Sequence, residues 1–445
     1  MKTPVWLSYA LQAIWVAIIV TLFLFAASNT TRLAEGEIKI QKNALREPQA
    51  ADPTATYVEI LLPAPVLPSL SAGYMGIAPS MHLIRLTTAR PLSNIDPIEH
   101  PARRRFGRID LSFAFLIALP IAILPVCFLI YRQSLASGAI GKLMDGKVPV
   151  FDFCVERILL PLGFFMGILL LTTLGALYTN GLRIASNEVL ARLSLWALIV
   201  GLYVLAWFLV FLWCLLRQSS FAEAALVYST VCVLVLLALP LFLQTAESML
   251  APPIGRLPIV LERQQLTQAM RDIDHPAVDS YLQTKGAPAF DWSTPLRPIE
   301  ASALTSLRVE DRLSPKIKIF EDSVQSLEGI AQSLSWISPL GLTQTAIDDL
   351  AGTGLSRYSN FRTASLAYFN RWQAYMLPFL AKRQTLDFDA LRAAPKFQFK
   401  EEESSFILGL AALRTLYLAV IVGGLLALIR RQLNRILPKN ANAAR

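Results

Sequence analysis

Charge is scarce in this chain of 445 residues: Asp, Glu, Lys and Arg make up 16% of it, against 54% apolar residues. Soluble domains carry about 25% charge, so the composition points to a large membrane protein. It is equally far from collagen, from a disordered chain and from a small disulfide scaffold. Histidine is scarcer still. His82, His100 and His275 are not spaced as ligands on one helix, and no Cys or carboxylate cluster completes a zinc site. The cysteines Cys127, Cys154, Cys214 and Cys232 all lie in or beside apolar runs, and none is placed for an extracytoplasmic disulfide. A phosphate loop is missing too: Ser-Gly-Ala-Ile-Gly-Lys at 137–142 has Ala136 where the first glycine is required and Leu143 where Ser or Thr is. No nucleophile elbow or paired Cys/His signature occurs. The chain is therefore expected to be non-catalytic, with no cofactor or metal of its own.

Long apolar runs are what the chain has in abundance. A bilayer core about 30 Å thick needs about 20 apolar residues in a helix, and six segments qualify: Val5–Ala27, Leu111–Tyr131, Ile158–Thr179, Leu195–Leu216, Phe221–Leu243 and Phe406–Ile429. The first is longer than a signal-peptide core of about 7–15 residues, so it reads as an uncleaved anchor. Lys and Arg in short loops set the orientation. With the N-terminus inside, the inner segments hold Lys2; Arg132, Lys142, Lys147 and Arg157; Arg217; and Arg430, Arg431, Arg435, Lys439 and Arg445. The short outer loop 180–194 holds Arg183 and Arg192, while the cluster Arg103, Arg104, Arg105 and Arg108 falls in a long loop, where the rule is weak. Both termini are thus expected in the cytoplasm. The surplus of +9 marks membrane flanks and not a nucleic-acid surface.

This reading divides the chain into a first span at 1–27, an extracytoplasmic segment at 28–110, four spans at 111–243, an extracytoplasmic domain at 244–405, and the last span with a basic tail at 406–445. The cytoplasmic loop 132–157 is the longest inner piece. No inner piece can bury a nucleotide-binding core, which needs at least about 50–100 residues, so any ATPase is another chain. Outside, Pro48, Pro53, Pro63, Pro65 and Pro68 suggest an irregular surface segment, and Met81–Thr88 reads as a strand. The larger domain reads as mostly helical, with helices expected over Ile259–Ile273, Lys316–Ile337 and Ser356–Gln384. In the last, Phe361, Tyr368, Trp372, Tyr375, Met376 and Phe379 recur at helical spacing. Core packing is the leading reading of that face, and a substrate-binding aromatic face the other.

Ionisable groups inside spans are costly unless paired, hydrated or snorkelling. Arg414 lies about two turns inside the last span, where it either snorkels to the outer headgroups or faces the bundle interior or a pathway. Glu223, near the inner end of the fifth span, and Asp110, at the outer edge of the second, read as interfacial groups. Gly163 and Gly167 permit close helix approach, and Pro120, Pro125, Pro161 and Pro240 are expected to kink their helices.

The order of parts resembles the ABC-2 type permeases, in particular the subfamily with a large extracytoplasmic insert before the final span. Arg105-Phe-Gly107-Arg108-Ile-Asp110 leading to Leu119-Pro120 is similar to the family's lead-in to the second span. Ser338-Pro339-Leu340 and Ala351-Gly352-Thr353-Gly354 resemble its Ser-Pro and Ala-Gly-Thr features. The resemblance implies a mainly α polytopic protein with six transmembrane helices and a mostly helical extracytoplasmic domain between spans five and six. It implies a permease subunit in the bacterial inner membrane, surrounded by lipid, with ATP and Mg bound by a partner ABC ATPase. The ATPase-coupling loop then falls on Gln133, Leu135, Gly138, Gly141, Lys142 and Asp145. The family's acidic Glu-Arg-Glu-Gly-Thr run is replaced here by Arg132-Gln-Ser-Leu-Ala-Ser-Gly138-Ala-Ile-Gly141, so a second, related permease carrying the intact run is the expected partner. A periplasmic partner protein is a further expectation. The competing reading is a membrane-anchored sensor or scaffold whose extracytoplasmic domain binds a ligand or protein.

Overall fold

The computed structural model describes residues 14–15, 17–32, 35, 52–54, 56–75, 78, 80–86, 109–136, 160–179, 186–218, 220–250 and 255–443. Most of these are helical. A first helix, α1 (Ala17–Arg32), precedes two strands, β1 (Tyr57–Leu61) and β2 (Met81–Arg85). Helix α2 (111–136) is interrupted by a π turn at Ala114–Ala118. It is followed by α3 (Leu160–Thr179), α4 (Asn187–Arg217) and α5 (Phe221–Leu250), the last with a π turn at Leu234–Ala238. A helical domain comprises α6 (Leu257–Ala269), α7 (His275–Thr284), α8 (Pro298–Ser335), α9 (Pro339–Ala351), α10 (Leu355–Ala381) and α11 (Phe388–Ala393). The long α12 (Ser404–Ala443) is the last described element.

Among the described residues, four helices are long and apolar enough to cross a membrane: Leu111–Phe128 of α2, α4, α5, and Ser404–Gln432 of α12. The other two expected spans correspond, among the described residues, to the shorter apolar stretches Ala17–Arg32 and Met166–Gly175. Helix α4 begins eight residues before the apolar run expected at Leu195, because Ser186 caps it: its Oγ accepts the Val189 N–H at 3.3 Å. Glu188 in its first turn and Arg217 in its last both complement the helix dipole.

One buried apolar core joins these helices. It contains Phe23 of α1, Phe115 of α2, Leu177 of α3, Trp196 and Phe208 of α4, Tyr228 of α5 and Leu418 of α12. Into the same core go Leu342, Ala346, Ile347 and Leu350 of α9. Hydropathy alone assigns α9 to the helical domain, yet it packs against α4, α12 and both π turns.

The helical domain has its own core, built from Val278 and Leu282 of α7, Leu304 and Leu307 of α8, and Tyr368, Trp372 and Met376 of α10. The aromatic face of α10 is thus spent on packing. The hydroxyls of Tyr368 and Tyr375 donate to the carbonyls of Pro395 (2.9 Å) and Ala390 (2.6 Å). The strand expected from Met81 pairs antiparallel with β1, Ile60 opposite His82, and Ile60 and Ile84 enter the domain core. Helix α8 is longer than the expected Lys316–Ile337 because it runs through Pro315 without a break.

Candidate functional site

The junction where α9 meets the bundle collects most of the described residues that the sequence singled out. Ser338 starts α9: its Oγ accepts the Gly341 N–H at 3.3 Å, and Pro339 occupies the first turn, where no N–H is needed. The other end closes in a Schellman arrangement around Gly352, whose φ of +76° suits glycine. There the Thr353 N–H donates to the Asp348 carbonyl at 2.9 Å and the Gly352 N–H to that of Asp349 at 3.1 Å. The next two carbonyls are satisfied from outside the helix. Arg192 Nη1 donates to Leu350 O at 3.1 Å, and the Leu67 N–H to Ala351 O at 3.0 Å. All four terminal carbonyls of α9 are therefore paired, two of them by residues that tie it to α4 and to the segment after β1. Gly354 lies against Asp349, and a Cβ at that position would collide with the Asp349 carboxylate.

Asp110 caps the start of α2 by accepting the Phe113 N–H at 2.8 Å. The same carboxylate accepts from Ser112 Oγ at 2.8 Å and from the Ala72 N–H at 3.1 Å. From Ser112 the network continues to Gln344 Nε2 (3.1 Å), which also donates to Asp348 Oδ1 at 2.7 Å. Ser71 Oγ donates to that same Asp348 oxygen at 2.6 Å. Ser71, Asp110, Ser112, Gln344 and Asp348 are all buried, so each bond acts in a low-dielectric setting where leaving it unmade is costly. One polar network thus connects α2, the segment around Ser71 and α9.

Arg414 forms the second connection. It is 4% exposed and its Nη1 meets Asp349 Oδ2 at 2.5 Å. Its guanidinium lies 5.7 Å from the ring centre of Trp336, the residue that ends α8, and Trp336 in turn meets Tyr417 at 6.2 Å. Tyr417 is about 20 Å along α12 from Ser404 at 1.5 Å per residue. Helix α9 therefore meets α12 through Asp349 and through Trp336 just before its start, while its C-terminal end meets the start of α4.

Other expected residues fall elsewhere. Pro120 lies in α2, where its carbonyl accepts the Tyr228 hydroxyl at 2.7 Å. Glu223 is exposed in the first turn of α5, at the opposite end of α4 from Arg192. Gln133 and Leu135 lie on the backbone of α2. Gly107, Arg108, Gly138, Gly141, Lys142 and Asp145 lie outside the described residues. Among the described residues, no group of three His, Cys, Asp or Glu side chains could hold a metal ion.

Sequence reasoning read Arg192 only as a loop charge and passed over Ser71, Gln344, Asp348 and Asp349. One signal for the two aspartates was present: adjacent carboxylates just before Gly352 put negative charge at a helix C-terminus, where the dipole disfavours it. A local rule broken in this way points to partners elsewhere in the fold.

A family model described as a domain of unknown function (DUF3526) matches residues 296–400, a stretch that contains α8 to α11 and therefore the whole of α9. Comparison with curated proteins and with solved structures gives no match.

Proposed function

We propose that this chain is the membrane permease subunit of an ATP-driven transporter of the ABC-2 type. ATP and Mg are held by a separate ATPase chain, and a second, related permease completes the pathway. In this reading the protein lies in a bacterial inner membrane with six spans, both termini cytoplasmic and the helical domain outside. The observation that supports it best is the insertion of α9. A transporter of this kind must couple the outside domain to moving spans, and α9 is bound to α4 by Arg192, to α12 by Arg414 and to α2 by the Gln344–Ser112 contact. Asp110, more than 200 residues away in sequence, is brought to α9 through Ser112 and Gln344, and Ser338, Pro339, Gly352 and Gly354 form or flank the two ends of that helix.

The test is to purify the tagged full-length chain from its native membranes in mild detergent and determine the stoichiometry of what accompanies it. A nucleotide-binding chain and a second permease in equal amounts are expected. A homodimer with an ATPase would overturn the two-permease arrangement. A kinase or anti-sigma partner without an ATPase would support the sensor reading and end the transport one.

A further inference from the structure

Helices α2 and α5 each change pitch immediately before a Leu-Pro pair. In α2 the π turn Ala114–Ala118 precedes Leu119-Pro120, and in α5 the π turn Leu234–Ala238 precedes Leu239-Pro240. Proline offers no N–H, and its ring crowds the carbonyl four residues back. Widening one turn relieves that crowding. Accordingly the Leu119 N–H reaches back to Ala114 O and the Leu239 N–H to Leu234 O. The α-helical donor for Leu116 O would be the nitrogen of Pro120, and its place is taken by the Tyr203 hydroxyl of α4 at 2.9 Å. One turn further on, the Tyr228 hydroxyl of α5 donates to Pro120 O at 2.7 Å. Both tyrosines are buried and both pack edge-on against Trp207. Helix α9 contacts both π turns, and the first turn of α2, just ahead of its π turn, is tied to α9 by Ser112 and Gln344.

We propose that α9 is a wedge seated on two hinges. Displacement of α9 bends α2 at 114–120 and α5 at 234–240, and the Tyr203 and Tyr228 hydroxyls latch the resting shape. A π turn gives the backbone a second set of hydrogen-bond registers at small cost, which is what a bend within a helix requires. The bend would tilt the far part of α2, which leads to residues 137–157. That consequence alone rests on the transport reading, and the hinge itself does not.

Hydrogen exchange of the full-length chain in lipid nanodiscs tests it. Tyr203→Phe removes one donor and is expected to raise exchange about fivefold in peptides covering 113–122, with α4 and α9 unchanged. Gln344→Ala, which detaches α9 from Ser112, is expected to raise exchange in the same peptides. Pro120→Ala restores the missing N–H and is expected to slow it. No local change in Tyr203→Phe, or an equal rise throughout the bundle, would overturn the latch, since the ring would then be simple packing. No change in Gln344→Ala would overturn the wedge. Should Tyr203→Phe not fold, Pro120→Ala decides, and the absence of slowing counts against a hinge. None of these readouts requires an ATPase, so the hinge can stand if no ATPase accompanies the chain, and fall if one does.

Discussion

Arg414 illustrates how a charge inside a span can be read from its context. From the sequence it could snorkel to headgroups or face the interior. In the structure it is buried, paired with Asp349 and covered by Trp336. Removing one member of a buried pair leaves the other charge uncompensated, at a cost of about 3–5 kcal/mol, whereas replacing both with apolar residues is close to neutral. Thermal unfolding of the full chain in detergent should therefore show a large loss for Asp349→Ala and most of it recovered in the Asp349→Leu/Arg414→Leu double variant. Additive losses would mean that the two residues do not act on each other. His82 makes a pH prediction at the same scale. It is buried against Phe361, ring centres 5.3 Å apart, and burial lowers its pKa from 6.5 to about 4. Folding thus favours the neutral ring. The associated stability is fully present above pH 6.5 and is lost as pH falls toward 4, by about 3 kcal/mol. His82→Phe keeps the stacking and removes the titration, so its melting temperature should fall less than the wild-type value between pH 7 and pH 4. Parallel curves would exclude His82 as the cause.

At the scale of elements, the aromatic face of α10 is core. Trp372→Ala should destabilise the helical domain by about 3–5 kcal/mol, seen as a lower melting temperature in the full chain. A variant that melts like wild type would reopen the ligand-face reading. The periodicity of α10 was legible because Phe361, Tyr368, Trp372 and Met376 repeat on one helix side. The apolar runs of α4, α5 and α12 were legible for the same reason that they suit a bilayer. Helix α9 was partly hidden. Its start is written in Ser338-Pro339 and its stop in Gly352, but Thr343, Gln344, Asp348 and Asp349 make it look solvated. Thr343 donates to the Pro339 carbonyl of its own helix, while partners from α2, α12 and the segment around Ser71 reach Gln344, Asp349 and Asp348, and the sequence does not name partners as far as 277 positions away. Strand β1 was hidden likewise, since its partner β2 lies across a proline-rich segment. The π turns follow from Leu-Pro pairs whose kinks were expected, while the tyrosines that bond to the α2 carbonyls beside its π turn belong to α4 and α5.

For the whole molecule, the low charge with which the sequence opens divides between two cores. The bundle core is mainly apolar, with the Asp110–Ser112–Gln344–Asp348 network and the Arg414–Asp349 pair set into it, and the helical domain has an ordinary core of its own. α9 joins the two, and the motif residues Ser338, Pro339, Gly352 and Gly354 stand at its ends. Under the proposed transport function, the energy source is a separate ATPase chain. The most direct test is the ATP hydrolysis rate of the reconstituted complex in lipid nanodiscs, comparing wild type with the Lys142→Ala/Asp145→Ala double variant. A several-fold drop with the assembly intact is expected if this segment carries the contact between permease and ATPase. Unchanged hydrolysis and transport would contradict that role.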